Sequence, residues 1–433
     1  MPGNTDVTVD ILIIGAGPAG LTAAATLVAQ GAGSVLVLER ERDAGGIPRH
    51  SDHLGYGIRD LKRFLSGPTY ARRLVTSATS AGAQIRTRSM VTGWCGPTSV
   101  EVTSPAGRYR VHARAVILAT GARERPRPAR LVPGDRPPGV MNTGELQNRV
   151  HLHHAKVGQR AVIVGAELVS WSAALTLREA GARVALMTTT HPQAEAYKAF
   201  TVAGRIALKV PLATRTAVTR VIGRSRVEGV EVEDLDTGLR RIINCDTVIF
   251  TGDWIPDHEL ARAAKLDMDG GTLGPAVDAA LRTSTPGVFA IGNLVHPVDT
   301  ADIAALDGEH VAATVTGYLN GPADSLRQVR LGVQAPLQWI SPNVLRQGEP
   351  PPARGRYLAW TNHLIGIPKV TISQGGKVLA SRILPWPASP GRTFRIPASM
   401  MRRADPLQGE VTVSVSSWRT RARPTWQVTR RTG

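Results

Sequence analysis

The sequence predicts an α/β protein with two βαβ domains and a small β-sandwich-like domain at its C-terminal end. Three observations support this: a glycine turn between a strand and a helix near residue 15, a related pattern near residue 165, and strand-like segments separated by Pro and Gly beyond residue 321. The length of 433 residues suffices for about two to four domains, each with its own core.

The first βαβ unit begins with an apolar strand, residues 9–14, that is too short for a helix. A glycine-rich turn (15–20) and a strong helix former (21–30) follow, and the next strand covers residues 34–38. A strand, a glycine turn, a helix and a strand in this order are typical of a Rossmann-like dinucleotide-binding domain.

The G-x-G-x-x-G pattern gives each glycine a task. Gly15 makes the tight turn, Gly17 lets the backbone approach a pyrophosphate, and Gly20 lets the helix pack against the strand. Glu39 ends the second strand about 20 residues later, where a carboxylate accepts ribose hydroxyls. The alternative, a glycine-rich turn without a ligand, does not explain Glu39.

Two later segments resemble flavoprotein motifs. Residues 116–121 are a buried strand that runs into an A-T-G turn, and residues 285–293 are a strand that ends in Gly-Asn. Together with Gly45, Gly46 and the first motif, they resemble the glutathione-reductase and thioredoxin-reductase superfamily, which has two dinucleotide-binding domains. The resemblance covers about residues 9 to 320 and implies a glutathione-reductase-like fold.

The resemblance implies that the first motif binds FAD. Asn293 replaces the usual acidic residue, so it can bond a ribityl hydroxyl without bringing a charge. The helix after it, which we expect to reach Leu319, would stabilise a reduced flavin through its dipole; Asp302 has helix capping as an alternative role. The implied FAD contacts are Gly15, Gly17, Pro18, Ala19, Gly20, Glu39, Arg40, Gly46, Val91, Ala119, Thr120, Gly121, Gly292, Asn293, Thr300, Ala301 and Asp302.

The second glycine motif, after the strand 161–164, is damaged. Glu167 stands where a glycine should face the pyrophosphate, and Ser170 replaces the packing glycine. The next strand ends in residues 188–191, which include neither the acidic residue typical of an NAD site nor an Arg for an NADP phosphate. NAD(P)H is therefore a second candidate cofactor that the motif disfavours. If it is absent, electrons enter from an organic substrate and leave to a quinone, oxygen or another protein chain.

The cysteine count excludes the commonest chemistry of the superfamily. Disulfide reductases need two nearby cysteines close to the flavin, whereas this chain has only Cys95 and Cys245. A four-cysteine metal site is excluded too. The histidines His151, His153 and His154 lack a ligand pattern, so we expect no metal site.

The loop 45–60 contains two candidate catalytic residues, His50 and His53. It resembles the corresponding loop in flavoprotein subunits of opine, proline and cyanide-forming glycine dehydrogenases, and in proteins encoded near glycerol-3-phosphate dehydrogenases. Ser51 holds the place of the cysteine in their R-H-C signature. A histidine near a flavin can act as general base or acid; the alternative is that both histidines only bond the loop backbone or the flavin phosphate.

We predict a discontinuous FAD domain (1–122 and 282–322), an NAD(P)-like domain (123–281) and a basic β-rich domain (323–433). The third contains a predicted hairpin turn at residues 374–377. Its predicted strands are 337–340, 357–360, 369–373, 378–383, 392–396 and 410–416. It also contains Trp339, Trp360, Trp386, Trp418 and Trp426, which suit either a core or a lipid or partner surface.

The net charge of +18 is concentrated in this third domain, because residues 321–433 carry 17 basic and 4 acidic residues. A solvated basic surface is the preferred interpretation, and an acidic partner subunit or a membrane surface is the alternative. No nucleic acid is expected. The N-terminus lacks a secretory signal, and no apolar run approaches about 18 residues. We therefore expect a cytoplasmic protein, with peripheral membrane attachment as the alternative.

The sequence thus predicts an FAD-dependent oxidoreductase without a redox disulfide, which oxidises a small amine or hydroxy substrate by hydride transfer to flavin N5. Two alternatives stay open. One is an NAD(P)H-dependent flavin reductase that passes electrons to a quinone or small molecule. The other is an FAD-bearing subunit of a multi-subunit dehydrogenase.

Overall fold

The computed structural model describes residues 6–321 and 327–418. Up to residue 124 it contains β1 (Val7–Ile14), α1 (Pro18–Ala29), β2 (Val35–Leu38), β3 (Leu54–Tyr56), β4 (Leu65–Ser66), α2 (Gly67–Ala81), β5 (Gln84–Arg86), β6 (Met90–Gly96), β7 (Ser99–Ser104), β8 (Gly107–Leu118) and β9 (Ala122–Glu124). There follow β10 (Val140–Asn142), α3 (Thr143–Gln147), β11 (Arg160–Val164), α4 (Leu168–Glu179), β12 (Arg183–Thr188), α5 (Lys198–Leu208), β13 (Leu212–Ala213), β14 (Thr216–Ile222), β15 (Gly229–Asp234), β16 (Arg240–Asn244), β17 (Thr247–Phe250), β18 (Trp254–Pro256) and α6 (Glu259–Ala263). The remaining elements are β19 (Val288–Ala290), α7 (Ala301–Asn320), β20 (Gln328–Val333), β21 (Leu337–Ser341), β22 (Val344–Arg346), β23 (Arg356–Thr361), β24 (Pro368–Gln374), β25 (Lys377–Ile383), β26 (Phe394–Pro397) and β27 (Val411–Ser417).

The first sheet has the strand order β5-β2-β1-β8-β7-β6, and β19 pairs with the end of β8. Strands β5, β2, β1, β8 and β19 are parallel to one another, while β7 runs antiparallel to β6 and β8. The runs 11–14, 35–38 and 115–118 are fully apolar and buried, as strands with both faces covered require. Helices α1 and α7 pack closely because Gly308 has no side chain: a Cβ there would lie 2.2 Å from the Ala19 carbonyl oxygen.

The second sheet has the order β10-β17-β11-β12-β13, and its strands are parallel. An antiparallel sheet, β14-β15-β16, packs beside it through a shared apolar cluster. The antiparallel pair β9–β18 lies where the chain passes between the two α/β units. Two Rossmann-like sheets, as the sequence predicts, are therefore present.

The C-terminal part forms two sheets, β22-β20-β27-β24-β25 and β21-β23-β26. Val370 and Val413 from one sheet share a buried core with Tyr357 and Phe394 from the other, so the arrangement is sandwich-like. All six strands predicted from the sequence are present. The hairpin turn between β24 and β25 is also present, with Gly375 and Gly376 both at positive φ.

This sandwich packs on the first half of α7. Ile303 contacts Trp339 and Leu358, and Trp339 stacks on Trp360 with 6.2 Å between ring centroids. The Arg354 guanidinium donates to the Ile303 carbonyl at 3.0 Å. These two tryptophans therefore hold the sandwich against α7, whereas the predicted Trp426 lies outside the described residues. Within residues 6–321 and 327–418, no helix is long and apolar enough to span a membrane.

Candidate functional site

A cavity of about 830 Å³ lies at the carboxyl edge of the first sheet and extends to the start of α4, where open α/β sheets bind ligands. Three of the predicted site residues, Gly20, His53 and Gly292, do not line it. The predicted residues that do line it are Gly15, Gly17, Pro18, Ala19, Glu39, Arg40, Gly46, His50, Val91, Ala119, Thr120, Gly121, Asn293, Thr300, Ala301 and Asp302. The first glycine turn and the start of α7 thus meet around one cavity.

The first glycine turn has room for a ligand at one glycine and none at another. A Cβ added to Gly17 would meet no atom within 4 Å, so this position opens into the cavity. A Cβ on Gly20 would lie 2.0 Å from the Gly15 carbonyl oxygen, so Gly20 serves the packing of α1. Helix α1 starts at Pro18 with Gly17 as its N-cap, and its first N–H groups are free to bind phosphate.

Glu39 is a buried carboxylate held in place by backbone N–H groups. Its Oε2 accepts from Ala16 and its Oε1 from Glu41, both at 2.9 Å. The side chain borders the cavity at the end of β2, where it is positioned for a ribose. Arg40 beside it forms an ion pair with Asp257 of the second unit at 3.1 Å.

Asn293 offers the cavity an unused acceptor. Its Nδ2 donates to the Asp299 carbonyl at 2.9 Å, while its buried Oδ1 has no hydrogen-bond partner among the described residues. Buried polar atoms are normally bonded, so a ligand hydroxyl would satisfy this oxygen. The open position at Gly17, the carboxylate of Glu39 and this orphaned oxygen fit the phosphates, ribose and ribityl chain of FAD.

The start of α7 also borders the cavity, but Asp302 is not its N-cap. Thr300 is the N-cap residue, and Ala301 is the first residue of the helix. The buried Asp302 carboxylate accepts from the Arg59 guanidinium at 3.0 Å and from Thr300 Oγ1 at 2.5 Å. Asp302 therefore joins the loop 45–60 to α7, and its predicted contact with FAD stays a prediction.

His50 is buried at 7% exposure and borders the same cavity. Burial, with the positive charge of Arg49 and the proximity of His151, lowers the pKa of His50 to about 4. Its Nδ1 has no hydrogen-bond partner among the described residues. His50 is thus a neutral imidazole at physiological pH with a free ring nitrogen.

His53, the second predicted catalytic residue, lies outside the cavity lining. Its Nε2 is 3.1 Å from Ser51 Oγ, and its Nδ1 is 2.9 Å from the Leu54 carbonyl oxygen. These contacts match the loop-bonding alternative. Sequence reasoning missed Tyr56, which borders the cavity and whose pKa burial raises to about 12, because a single tyrosine carries no motif.

The second glycine turn is occupied by acidic side chains. Glu167 is the N-cap of α4, and its N–H donates to Ser170 Oγ at 3.1 Å. Burial, with the nearby carboxylates of Glu195 and Glu124, raises the pKa of Glu167 to about 8. This geometry agrees with a motif that is damaged at Glu167 and Ser170.

The two cysteines are free thiols in separate places. Cys95 is exposed in β6, and Cys245 is buried just after β16, where burial raises the pKa of its thiol to about 11. Among the described residues, no group of three or more His, Cys, Asp or Glu side chains could hold a metal ion.

The chain is similar to several known oxidoreductases over most of its length. Thioredoxin reductase from Treponema pallidum is 27% identical over 72% of this chain and 97% of its own length. An opine oxidase subunit from Rhizobium meliloti (strain 1021) is 26% identical over 73% of each chain. The crystal structure of T. acidophilum thioredoxin reductase has the same fold, with a TM-score of 0.61, 23% identity and coverage of 72% of this chain and 99% of that one.

The family model for pyridine nucleotide-disulphide oxidoreductases matches residues 9–308, which include both glycine turns and the start of α7. Proteins of this kind bind FAD and use NAD(P)H. The chain is an FAD-dependent oxidoreductase, and it belongs to the pyridine nucleotide-disulphide oxidoreductase family.

Proposed function

We propose that this protein oxidises a small amine or hydroxy substrate with FAD and without a redox-active disulfide. The observation that carries the proposal is His50: a neutral, buried imidazole that borders the FAD cavity and whose Nδ1 has no hydrogen-bond partner among the described residues. An amine or alcohol loses a proton as it gives up a hydride, so a positioned base is the group such a reaction needs.

Bound FAD would supply the hydride acceptor. His50 would take the substrate proton, and its lowered pKa keeps the imidazole unprotonated throughout the neutral range. Tyr56 and Arg49 border the same cavity and offer a phenol and a cation to a small polar substrate. The N-terminus of α7 would favour negative charge on the reduced cofactor.

The cysteines support the absence of disulfide chemistry. A redox disulfide needs two thiols within bonding reach of each other. Cys95 lies in the first sheet and Cys245 beside the second, and neither lines the FAD cavity.

A second candidate is the FAD-bearing subunit of a multi-subunit dehydrogenase. One relative is, by its name, a subunit of opine oxidase, and thus one part of a larger enzyme. In this version of the proposal, the basic C-terminal sandwich would dock an acidic partner subunit in the cytoplasm, and turnover would require both chains.

The proposal is tested by anaerobic reduction of the purified holoprotein. A panel of glycine, sarcosine, L-proline, N-carboxyalkyl amino acids and 2-hydroxy acids is mixed with the protein, and the visible flavin absorbance is followed. We expect one amine or hydroxy compound to bleach the flavin. If none does so, even after addition of a co-expressed partner subunit, the proposed substrate class is wrong.

A further inference from the structure

The carboxyl edge of the second sheet is where a nicotinamide dinucleotide binds in a domain of this design. In this chain the loop that follows β12 and a segment of the C-terminal sandwich cover part of that edge, beside the end of the cavity that reaches the start of α4. Thr188 and Thr189 lie at the end of β12 without the carboxylate that Glu39 provides at the end of β2.

The first cover is the loop that follows β12. The N–H groups of Glu195 and Ala196 both donate to the Ala166 carbonyl at 3.2 Å. Thr189 Oγ1 donates to Glu195 Oε1 at 2.9 Å, which fixes that side chain over the turn. Glu195 therefore joins Glu167 as a second carboxyl group where a diphosphate would lie.

The second cover comes from the C-terminal sandwich, through residues 388–393, here named the closing segment. A Cβ on Gly391 would lie 2.5 Å from Glu195 Cβ and 3.2 Å from Glu167 Cβ. The Arg392 guanidinium lies 4.5 Å from the ring centroid of Tyr197. The closing segment therefore rests directly on the second glycine turn, and a larger residue than glycine would not fit there.

The closing segment is fixed at both ends. Ala388 exchanges two backbone hydrogen bonds with Ile365, at 2.7 and 3.0 Å. At the other end, Thr393 Oγ1 donates to Asp299 Oδ2 at 3.1 Å, and Asp299 borders the FAD cavity. The segment thus bridges the two α/β units between the FAD cavity and the second glycine turn.

We propose that the closing segment, with Glu167 and Glu195, excludes nicotinamide dinucleotides from this protein. The two carboxyl groups take up space that a diphosphate would need, and they supply no positive charge to offset its own. The second α/β unit is then a structural support, and the flavin receives its electrons from a small molecule that enters the FAD cavity. This inference rests on the proposed function and names the class of its electron donor.

The direct test uses full-length holoprotein under anaerobic conditions with NADH and with NADPH. We expect neither to bleach the flavin in the time in which dithionite reduces it fully, and we expect calorimetry to show no binding of either. Flavin reduction by NADH or NADPH at a catalytic rate would overturn the inference. That result is independent of the substrate panel, because the panel tests amine and hydroxy donors alone.

A cross-linked variant tests whether the closing segment is fixed. Tyr197→Cys and Arg392→Cys, made in a Cys95→Ser background, are joined with a short bis-maleimide, and each single cysteine variant serves as the control. We expect efficient cross-linking, and flavin reduction by the panel substrate within about twofold of the uncross-linked protein. Failure to cross-link would refute the contact. Loss of substrate-driven reduction on cross-linking would show that the segment must open, which also overturns the inference.

Discussion

The two glycines Gly17 and Gly20 lie three positions apart in one motif and have separable tasks. Gly17 faces open cavity, whereas Gly20 lies against the Gly15 carbonyl oxygen. We expect Gly17→Val to fold and lose FAD, because its φ of −81° suits valine and only the ligand space is filled. Flavin absorbance and the melting temperature of the apoprotein check this. Gly317→Ala, at an open helical position, should keep its flavin; loss of folding in Gly17→Val would contradict the account.

His50 and His53 form a matched pair for a test of catalysis. Replacing the proposed base by His50→Asn should slow substrate-driven flavin reduction by about 10²- to 10⁴-fold while the bound flavin keeps its spectrum. His53→Asn should stay within about twofold, since the His53 ring bonds Ser51 and Leu54 of its own loop. Stopped-flow absorbance gives both rates. Equal effects of the two substitutions would contradict the assignment of His50.

The pH dependence of the same reaction follows from the lowered pKa of His50. The base is unprotonated above about pH 4, so with a 2-hydroxy acid, whose hydroxyl does not titrate in this range, the rate of flavin reduction in the wild type should fall only as pH drops toward that value. An ordinary histidine would lose activity near pH 6.5. A pH profile of flavin reduction from pH 4 to 8 distinguishes the two; an acid limb centred near 6.5 would show that His50 is not the base.

Sequence patterns predicted the elements that carry a local signal. Residues 9–14 and 161–164 are short apolar runs before glycine turns, and both are strands. Strands β20 and β22 were not predicted, and β22, with three residues, is too short to show a clear pattern. The tie between Arg59 and Asp302 was not predicted either, since it joins residues 243 positions apart. Contacts of this kind depend on how elements pack, which no local pattern specifies.

Glu167, at the start of α4, should make the free energy of unfolding depend on pH. Glu167 keeps its proton up to about pH 8 in the folded state and releases it near pH 4.5 when unfolded. The folded state therefore binds more protons across that window, and the free energy of unfolding falls as pH rises from 4.5 to 8.

Glu167→Gln removes this loss of stability at high pH, because glutamine does not titrate. We expect the variant to be more stable than the wild type by up to about 5 kcal/mol above pH 8, and equal to it below about pH 4.5. Urea unfolding at several pH values measures the difference, with the exposed Glu309→Gln as a control that should follow the wild type. If the free energy of unfolding of Glu167→Gln changed with pH in parallel with that of the wild type, the raised pKa of Glu167 would be contradicted.

At the scale of the whole molecule, the C-terminal sandwich is part of the cofactor-bearing structure and not an independent appendix. It contacts α7 through Trp339 and Arg354, and it reaches the FAD cavity through Gly391. The amino-acid composition shows that the positive charge is concentrated in this part of the chain. The position of the sandwich over the second glycine turn, by contrast, can be seen only in the folded protein.

Trp339→Ala should therefore destabilise the whole protein. The side chain is 5% exposed and packs on Trp360 and Ile303, so its loss should lower the free energy of unfolding by about 3 to 5 kcal/mol. Flavin should also be lost more readily, because α7 borders the cavity. Urea unfolding and flavin release measure both effects, and Leu407→Ala at an exposed site is the control. If the variant were destabilised but released flavin no faster than the wild type, the sandwich would not be needed to support α7.

The central proposal is an FAD enzyme that works without a redox disulfide, and an anaerobic dithionite titration of the purified protein tests it most directly. A flavin alone takes up about two electrons per bound FAD, whereas a flavin with a redox disulfide takes up about four. We predict full reduction at two electrons per FAD, and uptake of four electrons would contradict the account.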